Sequence, residues 1–559
     1  MTTHAPTGPA AGPPAPPRIP PPPAASNTTR HLCAGAYLDE EFQRACLAEV
    51  YGRRAHLIAP SYGFDLVTVL GQCLQARQIT ILRDAMTLVL LVPLACVAPL
   101  GTGFAIIGLL LIYLVTSIQQ IIENTARELR QGQSASSGII FSRAMAVLFR
   151  LLGAVIVLNL LGRFMDELDD SSRTGSYSGG YPESPLVGIF PGFVMALLVM
   201  FGPPVVASLA RQSQLNQFAP GRTPAPPARS KRFDEIRRQE SGNTIAFSGP
   251  WPFIGSGSVL TNWGFAQRLV RAGNPLTGLA PETEREFPTA PFSAAELVAH
   301  LRGELSTLAR AQEAEQQLAG LTVVDRVVLA GTEVGHLAPY TDPAHLLAII
   351  RQPTASARHY LVCQVVSWHG ELVTTVYVHV AVQGRSLYMG FTSTALPPCD
   401  ERFRVIDQVG ETGAAAYLRA GVRGLLDAPT TIVRAPLNLA RNWGGSLKDS
   451  SWFKFNESFR RGYDHGARVS VRELAMAADT RHHLQTQEID KYQRIIERRL
   501  LAAALDFLES RGVDTSEYRQ RATVLLNAAA IVSGGHLVVH GDVNSTQTNT
   551  ADPWRGTGR

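Results

Sequence analysis

The sequence predicts a membrane α-helical protein with four transmembrane helices and a cytoplasmic α+β domain, in which an antiparallel sheet is followed by a C-terminal helical hairpin. Three observations lead to this fold class. Charged residues make up only 17% of the 559 positions, whereas soluble proteins average about 25%. Long apolar blocks are concentrated between residues 84 and 210. Beyond them, β-branched and aromatic runs alternate with amphipathic helical patterns.

The N-terminal part divides into two cytoplasmic segments. Residues 1–28 are rich in Pro and Ala and cannot bury a core, so we expect a disordered Pro-rich N-terminus. They lack the charged and apolar regions of a signal peptide. Residues 29–83 show apolar positions at helical spacing and are expected to form a helical segment.

Four apolar spans are expected in a transmembrane region at 84–210. The block at 85–118 has no charged residue and is too long for one span of about 20 residues. The turn sequence PLGTG at 99–103 divides it into two predicted helices. Blocks at 144–165 and 186–210 supply the third and fourth spans, and Gly and Pro inside them are tolerated in a membrane.

The loop charges predict an orientation for these spans. Arginines precede the first span, separate the second from the third and follow the fourth, whereas the loop between the third and fourth is acidic. Because positively charged loops stay in the cytoplasm, we expect a plasma-membrane protein with both termini cytoplasmic.

The chain beyond the spans divides into five further segments by composition. We expect a basic Pro-rich linker at 211–243, a cytoplasmic α+β domain at 244–443, a loop-rich basic and aromatic connector at 444–470, a helical hairpin at 471–532, and a short strand with a disordered tail at 533–559. Three β-rich runs within 359–396 are joined by very short turns, which predicts an antiparallel meander. Ser293 and Glu296 form a capping box, which predicts a helix start.

The stretch TIAFSGPWPFIGSGS at 244–258 is rich in Gly and Pro and invites comparison with phosphate-binding loops. It does not extend to the dinucleotide pattern, no Gly-Lys-Ser/Thr follows, and its serines are not in a nucleophile elbow. We therefore predict a rigid loop that carries Trp251 and Phe253. Their rings either close a small core or contact a partner.

Few other residues are candidates for a site. Trp368 and His369 in the turn after the first meander strand are candidate interaction residues. Arg150 in the third span either snorkels to the interface or lines a polar cavity. His369, Glu371 and His379 could form a metal or acid–base site, but they also fit a turn and a strand face. None of the six cysteines has zinc-ligand spacing, and the sequence carries no motif of a major catalytic class, so no metal, cofactor or catalytic residue is expected.

Several segments of the sequence resemble those of a known family, among them SGPWPFIGSGS, HYLVCQVVSWHGELVTTVYVHVAVQGRSLYMGFTSTALPPC and GVDTSEYRQRAT. The chain resembles a family of uncharacterised actinobacterial multi-pass membrane proteins, with four spans and a large cytoplasmic C-terminal region. This resemblance implies an architecture and a source. It carries over no catalytic residue.

The function expected from these features is a multi-pass membrane protein that presents a cytoplasmic interaction or signalling module and works by binding. One alternative is a pore or transport component formed by oligomerised transmembrane helices. Another is a membrane-bound enzyme with a non-motif active site in the cytoplasmic domain. Expected partners are the lipid bilayer, a protein partner, and a second copy of the chain bound through its transmembrane helices or its tail. Nucleic acid is not expected, because a net charge of +5 is spread over scattered patches.

Overall fold

A computed structural model gives the fold of the chain. It describes residues 26–54, 56–130, 185–273, 282–310, 317–333, 339–408, 410–411, 413–448, 464–477 and 482–532, with the single positions 145, 159 and 162. Apart from those single positions, the third predicted span, including Arg150, lies outside the described residues. The predicted tail at 533–559 also lies outside them.

Two short helices begin the described chain, and each starts at a polar cap. Helix α1 (Asn27–Leu38) begins after Ser26, whose hydroxyl accepts a hydrogen bond from the Thr29 N–H group. Helix α2 (Glu40–Ala45) begins after Asp39, which accepts from two N–H groups in the first turn. Such side chains satisfy backbone donors that a helix start leaves unpaired.

Three long helices follow: α3 (Leu66–Val97), α4 (Pro99–Arg130) and α5 (Pro185–Leu215). They pack together through a small apolar cluster that includes Ala105, Ala196 and Met200. Further along the chain the helices are α6 (Lys231–Glu240), α7 (Glu282–Arg285), α8 (Ala294–Arg310), α9 (Pro343–Arg351), α10 (Ala414–Lys448), α11 (Val471–Leu474), α12 (His483–Ser510) and α13 (Ser516–Val532).

The prediction of four spans is wrong for the residues that the structure describes. Two helical stretches there are long and apolar enough to cross a bilayer, Leu66–Val97 and Phe190–Phe218. The predicted second span is shorter, because the apolar part of α4 ends at Leu114 and polar residues follow it. The predicted first span is only the second half of α3, whose first turns lie in the protein core.

The sheet is mixed, which corrects the prediction of an antiparallel one. Its six strands are β1 (Thr244–Phe247), β2 (Ser258–Arg268), β3 (Leu321–Ala330), β4 (Arg358–Ser367), β5 (Leu372–Gln383) and β6 (Ser386–Leu396), in the order β1-β3-β4-β5-β6-β2. Strands β4, β5 and β6 are antiparallel neighbours, as the short turns predict. Strand β1 pairs parallel to β3. The long connection between these two strands permits that direction, whereas a short turn would forbid it.

Helices cover one face of the sheet and form the main core there. Alternate residues of β5, such as Val376, Val378 and Val380, pack with α8, α12 and α13. The capping box at the start of α8 is confirmed, since Ser293 and Glu296 exchange hydrogen bonds. Helices α12 and α13 are joined by a turn in which Gly512 takes a positive φ of 68°.

A second core joins the N-terminal helices to the rest of the chain. It contains buried residues of α1, α3 and α6, together with Phe403 from a 3-10 turn (Glu401–Asp407) and Val471 from α11. Helix α10 packs along α5 and α3. Its contact side is lined by small residues such as Ala428 and Ala435, which allow the helix backbones to approach closely.

Candidate binding cleft

The face of the sheet that the helices leave uncovered carries the candidate site. Because side chains alternate along a strand, Tyr377, His379 and Ala381 of β5 point away from the main core. Tyr377 and Val362 are buried against Phe253 in a small separate cluster. Val373 and Thr375 on the same side of β5 are buried as well, Val373 against Tyr62 of the N-terminal segment, so the open part of this face is the end around His379. It forms a cleft of about 650 Å³, within the usual size range of small-molecule sites.

The cleft is lined by aromatic and hydrogen-bonding side chains. Those on which the following description depends are Phe253, Asn262, Arg358, Tyr360, His379, Tyr388 and Thr392. Three of the rings form a row across β4, β5 and β6. The Tyr360 and His379 ring centres are 5.3 Å apart, and those of His379 and Tyr388 are 6.1 Å apart.

Two glycines make room for the Tyr388 ring. Gly264 of β2 and Gly390 of β6 face each other in register. A Cβ atom at Gly264 would lie 2.5 Å from the Tyr388 hydroxyl oxygen, and one at Gly390 would lie 3.3 Å from its ring. The phenol ring therefore covers the backbone of both strands, while 42% of the residue stays exposed. A glycine in a strand often marks such a close approach.

His379 presents a defined hydrogen-bonding group. Its Nδ1 lies 2.9 Å from the backbone carbonyl oxygen of His359. Since a carbonyl can only accept, Nδ1 must be the donor. Burial lowers the pKa of His379, as does the nearby Arg358 charge, although the carbonyl bond opposes them. At neutral pH the imidazole is therefore neutral, which leaves Nε2 as an acceptor.

The loop at 248–257 forms one wall of the cleft. Phe253 is only 4% exposed, and its ring stacks on Tyr377 with 4.1 Å between ring centres. Trp251 is half-buried and meets Phe253 edge to face. The structure thus answers the question that the sequence left open. Phe253 closes a small core, and Trp251 flanks it on the partly exposed side.

The glycines of this loop do bind a carboxylate, but it belongs to the chain itself. Glu473 Oε1 accepts hydrogen bonds from the N–H groups of Gly255 at 2.8 Å and Gly257 at 3.0 Å. Both glycines have positive φ values, 92° and 82°, and their two N–H groups, separated by one residue, point toward the same carboxylate oxygen. Burial raises the pKa of Glu473, and these two bonds oppose that rise. The carboxylate therefore occupies the place that a phosphate would take in a phosphate-binding loop.

The other sequence candidates do not meet at one place. Trp368 is exposed and donates from Nε1 to Glu488 Oε2 at 2.6 Å. His369 is exposed in the same turn and takes a positive φ of 54°. Of His369, Glu371 and His379, only His379 lines the cleft. In the described part of the chain, no three His, Cys, Asp or Glu side chains are arranged to hold a metal ion.

A buried polar cluster around Glu371 was missed by sequence reasoning. The fully buried His31 lies 2.6 Å from Asp407 Oδ2 through Nε2 and 3.5 Å from Glu371 Oε1 through Nδ1. Arg472 is also fully buried, and it donates to the backbone carbonyls of Glu371 and Pro397. None of these residues lines the cleft. Their partners are far apart in sequence, so no local spacing could indicate the cluster.

Comparison with known proteins gives a family for this chain. The chain shows no significant similarity to a curated protein or to a solved structure. The family model of the AbeC-like domain matches residues 262–543. The match covers β2 to β6 and the helices α8 to α13, and so most of the cleft. Since it spans half of the sequence, the chain belongs to the AbeC-like domain family.

Proposed function

We propose that this AbeC-like protein is a membrane-anchored binding module. Helices α3 and α5 hold the chain in a bilayer, and the open face of its sheet binds a ligand without covalent chemistry. The observation that carries the proposal is the apolar surface that these two helices leave uncovered. In the most apolar 18-residue stretches of Leu66–Val97 and Phe190–Phe218, only 22% and 28% of the residues are buried. A core helix of a soluble domain would be mostly buried.

The uncovered side chains are large. On α3 and α5 they include Val89, Val92, Val97, Phe190, Leu198 and Val206, each more than 60% exposed. Helix α10, which packs against both, adds Leu418 and Leu426 at 73% and 70% exposure. Large apolar side chains exposed in this number are costly in water and favourable in lipid.

The ion pairs at the base of these helices support an orientation. Arg83 of α3 and Arg211 of α5 both approach Glu40 Oε1, at 3.8 and 3.0 Å. Burial raises the pKa of Glu40, but these arginines and Arg44 outweigh it and lower that pKa below its ordinary value. The middle of α3, just before its apolar second half, and the end of α5 thus lie on the same side. We propose that this basic side faces the cytoplasm of an actinobacterial plasma membrane, in line with the positive-inside rule.

The chemistry of the cleft supports binding rather than catalysis. Among the described residues that line it there is no carboxylate and no thiol, and its histidine is a neutral hydrogen-bonding group. Aromatic rings with a few directed polar groups are the usual composition of a binding site. The role of the bound ligand is then to be sensed or held at the membrane.

Membrane extraction of the full chain tests the anchoring. The protein expressed in cells should stay in the membrane fraction after alkaline carbonate washing and should leave it only with detergent. The double variant Leu90→Arg, Leu198→Arg places charges on both apolar stretches, at a cost of about 2.5–3.5 kcal/mol for each residue at a helix centre, and should reduce the membrane-bound fraction severalfold. The matched control is Leu347→Arg, because Leu347 is 43% exposed on α9 of the sheet domain. It should remain membrane-bound.

Two results would contradict the proposal. One is release of the unmodified protein by carbonate. The other is equal membrane retention of the double variant and the control. The orientation has a separate test, since a cytoplasm-specific reporter fused to the C-terminus should be active, and a periplasm-specific one should be inactive.

A further inference from the structure

The floor of the cleft is a phenol ring that only the cleft side can reach. The backbones of Gly264 and Gly390 lie beneath Tyr388, so a ligand contacts this ring from the open side. The Tyr360 and His379 rings continue the aromatic surface at distances typical of ring contacts. The planes of these rings are tilted, by 40° between Tyr360 and His379 and by 58° between His379 and Tyr388, so a planar ligand ring can lie flat on Tyr388 while the other two rings contact its edge.

The charge of the residues that line the cleft indicates the sign of the charge on its ligand. Among its described lining residues Arg358 is the one with a full charge. No carboxylate in the described part of the chain lies within ion-pair distance of the Arg358 guanidinium. Two other exposed arginines at strand ends differ, since Arg268 of β2 and Arg385 of the turn between β5 and β6 both pair with Glu286. Arg358 is therefore available for a ligand anion, and a guanidinium matches a carboxylate or a phosphate equally well.

The remaining polar groups fit the edges of a heterocycle. On the floor of the cleft, the Thr392 hydroxyl donates a hydrogen bond to Asn262 Oδ1 at 3.1 Å. The Asn262 amide thereby keeps its nitrogen donors for a ligand, since its oxygen accepts from the Thr392 hydroxyl. Across the cleft, His379 Nε2 is an acceptor. A donor and an acceptor are thus present beside the ring surface.

We propose that the cleft binds a small planar-ring anion, in which a ring lies on Tyr388 and a carboxylate or phosphate pairs with Arg358. The inference rests on the proposed binding function and names its ligand class. Nucleotides and aromatic carboxylates share this chemistry. A nucleic acid polymer fits less well, because one arginine cannot neutralise a chain of phosphates.

Calorimetric titration of the detergent-solubilised full chain tests the ligand class. The probes are AMP and indole-3-acetate as ring anions, with adenosine and indole as their neutral counterparts. At least one anion should bind about tenfold more tightly than its neutral counterpart, the factor that one modest charge interaction supplies. Binding of AMP indicates that the cleft accepts a nucleotide, and binding of indole-3-acetate indicates that it accepts an aromatic carboxylate.

Variants test whether Tyr388 contacts the ring of the ligand and whether Arg358 contacts its anionic group. Tyr388→Leu should weaken binding of the anion at least tenfold, and Tyr388→Phe should retain it because the ring is kept. Arg358→Gln should lower the affinity for the anion to that of the neutral ring. The matched control Tyr417→Leu removes another partly exposed tyrosine, on α10 and outside the cleft, and should bind as the unmodified protein does. Equal thermal unfolding midpoints of all four variants show that each is folded.

Each failure has a distinct meaning. Absence of binding by both anions overturns the ligand class, and so does affinity that is unchanged in Tyr388→Leu. Equal affinity for a neutral ring and its anion overturns the role of Arg358 but leaves the cleft as a binding site. Tighter binding of an eight-residue thymidine oligonucleotide than of either anion assigns the face to single-stranded nucleic acid instead. Membrane anchoring is measured independently, so none of these results depends on it.

Discussion

His31 and Asp407 are 376 residues apart in the chain, yet His31 Nε2 lies 2.6 Å from Asp407 Oδ2. The second Asp407 oxygen is 2.6 Å from the Arg30 guanidinium. The hydrogen bond from His31 is the largest single influence on the pKa of Asp407. Together with Arg30 it outweighs the effect of burial and lowers that pKa to about 2. This contact fastens α1 to the 3-10 turn that follows the sheet.

The Asp407 pKa predicts an acid-sensitive attachment of α1. An aspartate of an unfolded chain has a pKa of about 3.9. Since the folded value is lower, the stabilisation is complete above about pH 4 and is lost as the pH falls toward 2. Asp407→Asn should destabilise the protein at pH 7 by roughly 1–3 kcal/mol, after allowance for the exposed third of the side chain. Urea unfolding in detergent micelles, followed by circular dichroism, measures this difference.

The pH dependence separates this effect from a general loss of packing. The gap between Asp407→Asn and the unmodified protein should narrow between pH 4 and pH 2. Asp506→Asn, which changes an exposed aspartate on α12, should show no gap at any pH. A gap that is the same at pH 3 and pH 7 would contradict the assigned cause.

Glu473 is predicted to hold the loop that walls the cleft. Glu473→Leu keeps most of the bulk of the side chain but removes both carboxylate oxygens, so the N–H groups of Gly255 and Gly257 lose their acceptor. A buried donor left without an acceptor costs about 1–3 kcal/mol, so the variant should lose about 2–4 kcal/mol of stability. Trp251 fluorescence should shift to longer wavelength as the loop loosens. Glu235→Gln alters a surface ion pair of α6 and is the control. An unchanged Trp251 spectrum in Glu473→Leu would refute the role.

Local patterns were sufficient to predict part of this fold. The β-rich runs and short turns at 359–396 determine both the strands and their antiparallel pairing, because two- or three-residue connections permit no other direction. The capping box at Ser293 likewise determines where α8 begins. Such features depend on residues close together in sequence.

Other features depend on contacts that local patterns do not contain. Proline inside a helix removes a backbone donor and often ends the helix, yet α10 continues through Pro429 and packs along α5. The alternation in β5 places Tyr377 and His379 on one face, yet it does not say which face the helices cover. The cleft exists only in the folded sheet, where Gly264 of β2 lies opposite Gly390 of β6, a residue more than 120 positions later in the chain.

Glu240 is predicted to destabilise the protein at alkaline pH. Burial, followed by the charge of Asp65, raises its pKa to about 7. The folded state thus favours the protonated carboxyl, so its stabilisation is complete below about pH 4.5 and is lost as the pH rises through 7. Glu240→Gln mimics the neutral form and should raise the free energy of unfolding at pH 8 by up to about 3 kcal/mol. The variant and the unmodified protein should have equal melting temperatures at pH 4.5. A lower melting temperature for the variant at pH 8 would contradict the prediction.

Gly370 and Gly63 pack backbone to backbone where the N-terminal segment meets the sheet. Both have positive φ values, 90° and 78°, and a Cβ atom at Gly370 would lie 2.3 Å from the Gly63 carbonyl oxygen. Gly384 also has a positive φ, 56°, but a Cβ there would meet open space. Gly384→Ala therefore isolates the conformational cost, about 1–2 kcal/mol. Gly370→Ala adds a clash with backbone and should cost at least about 3 kcal/mol. Thermal unfolding of the two variants measures the difference, and equal costs would show that the backbone contact between the two segments contributes nothing.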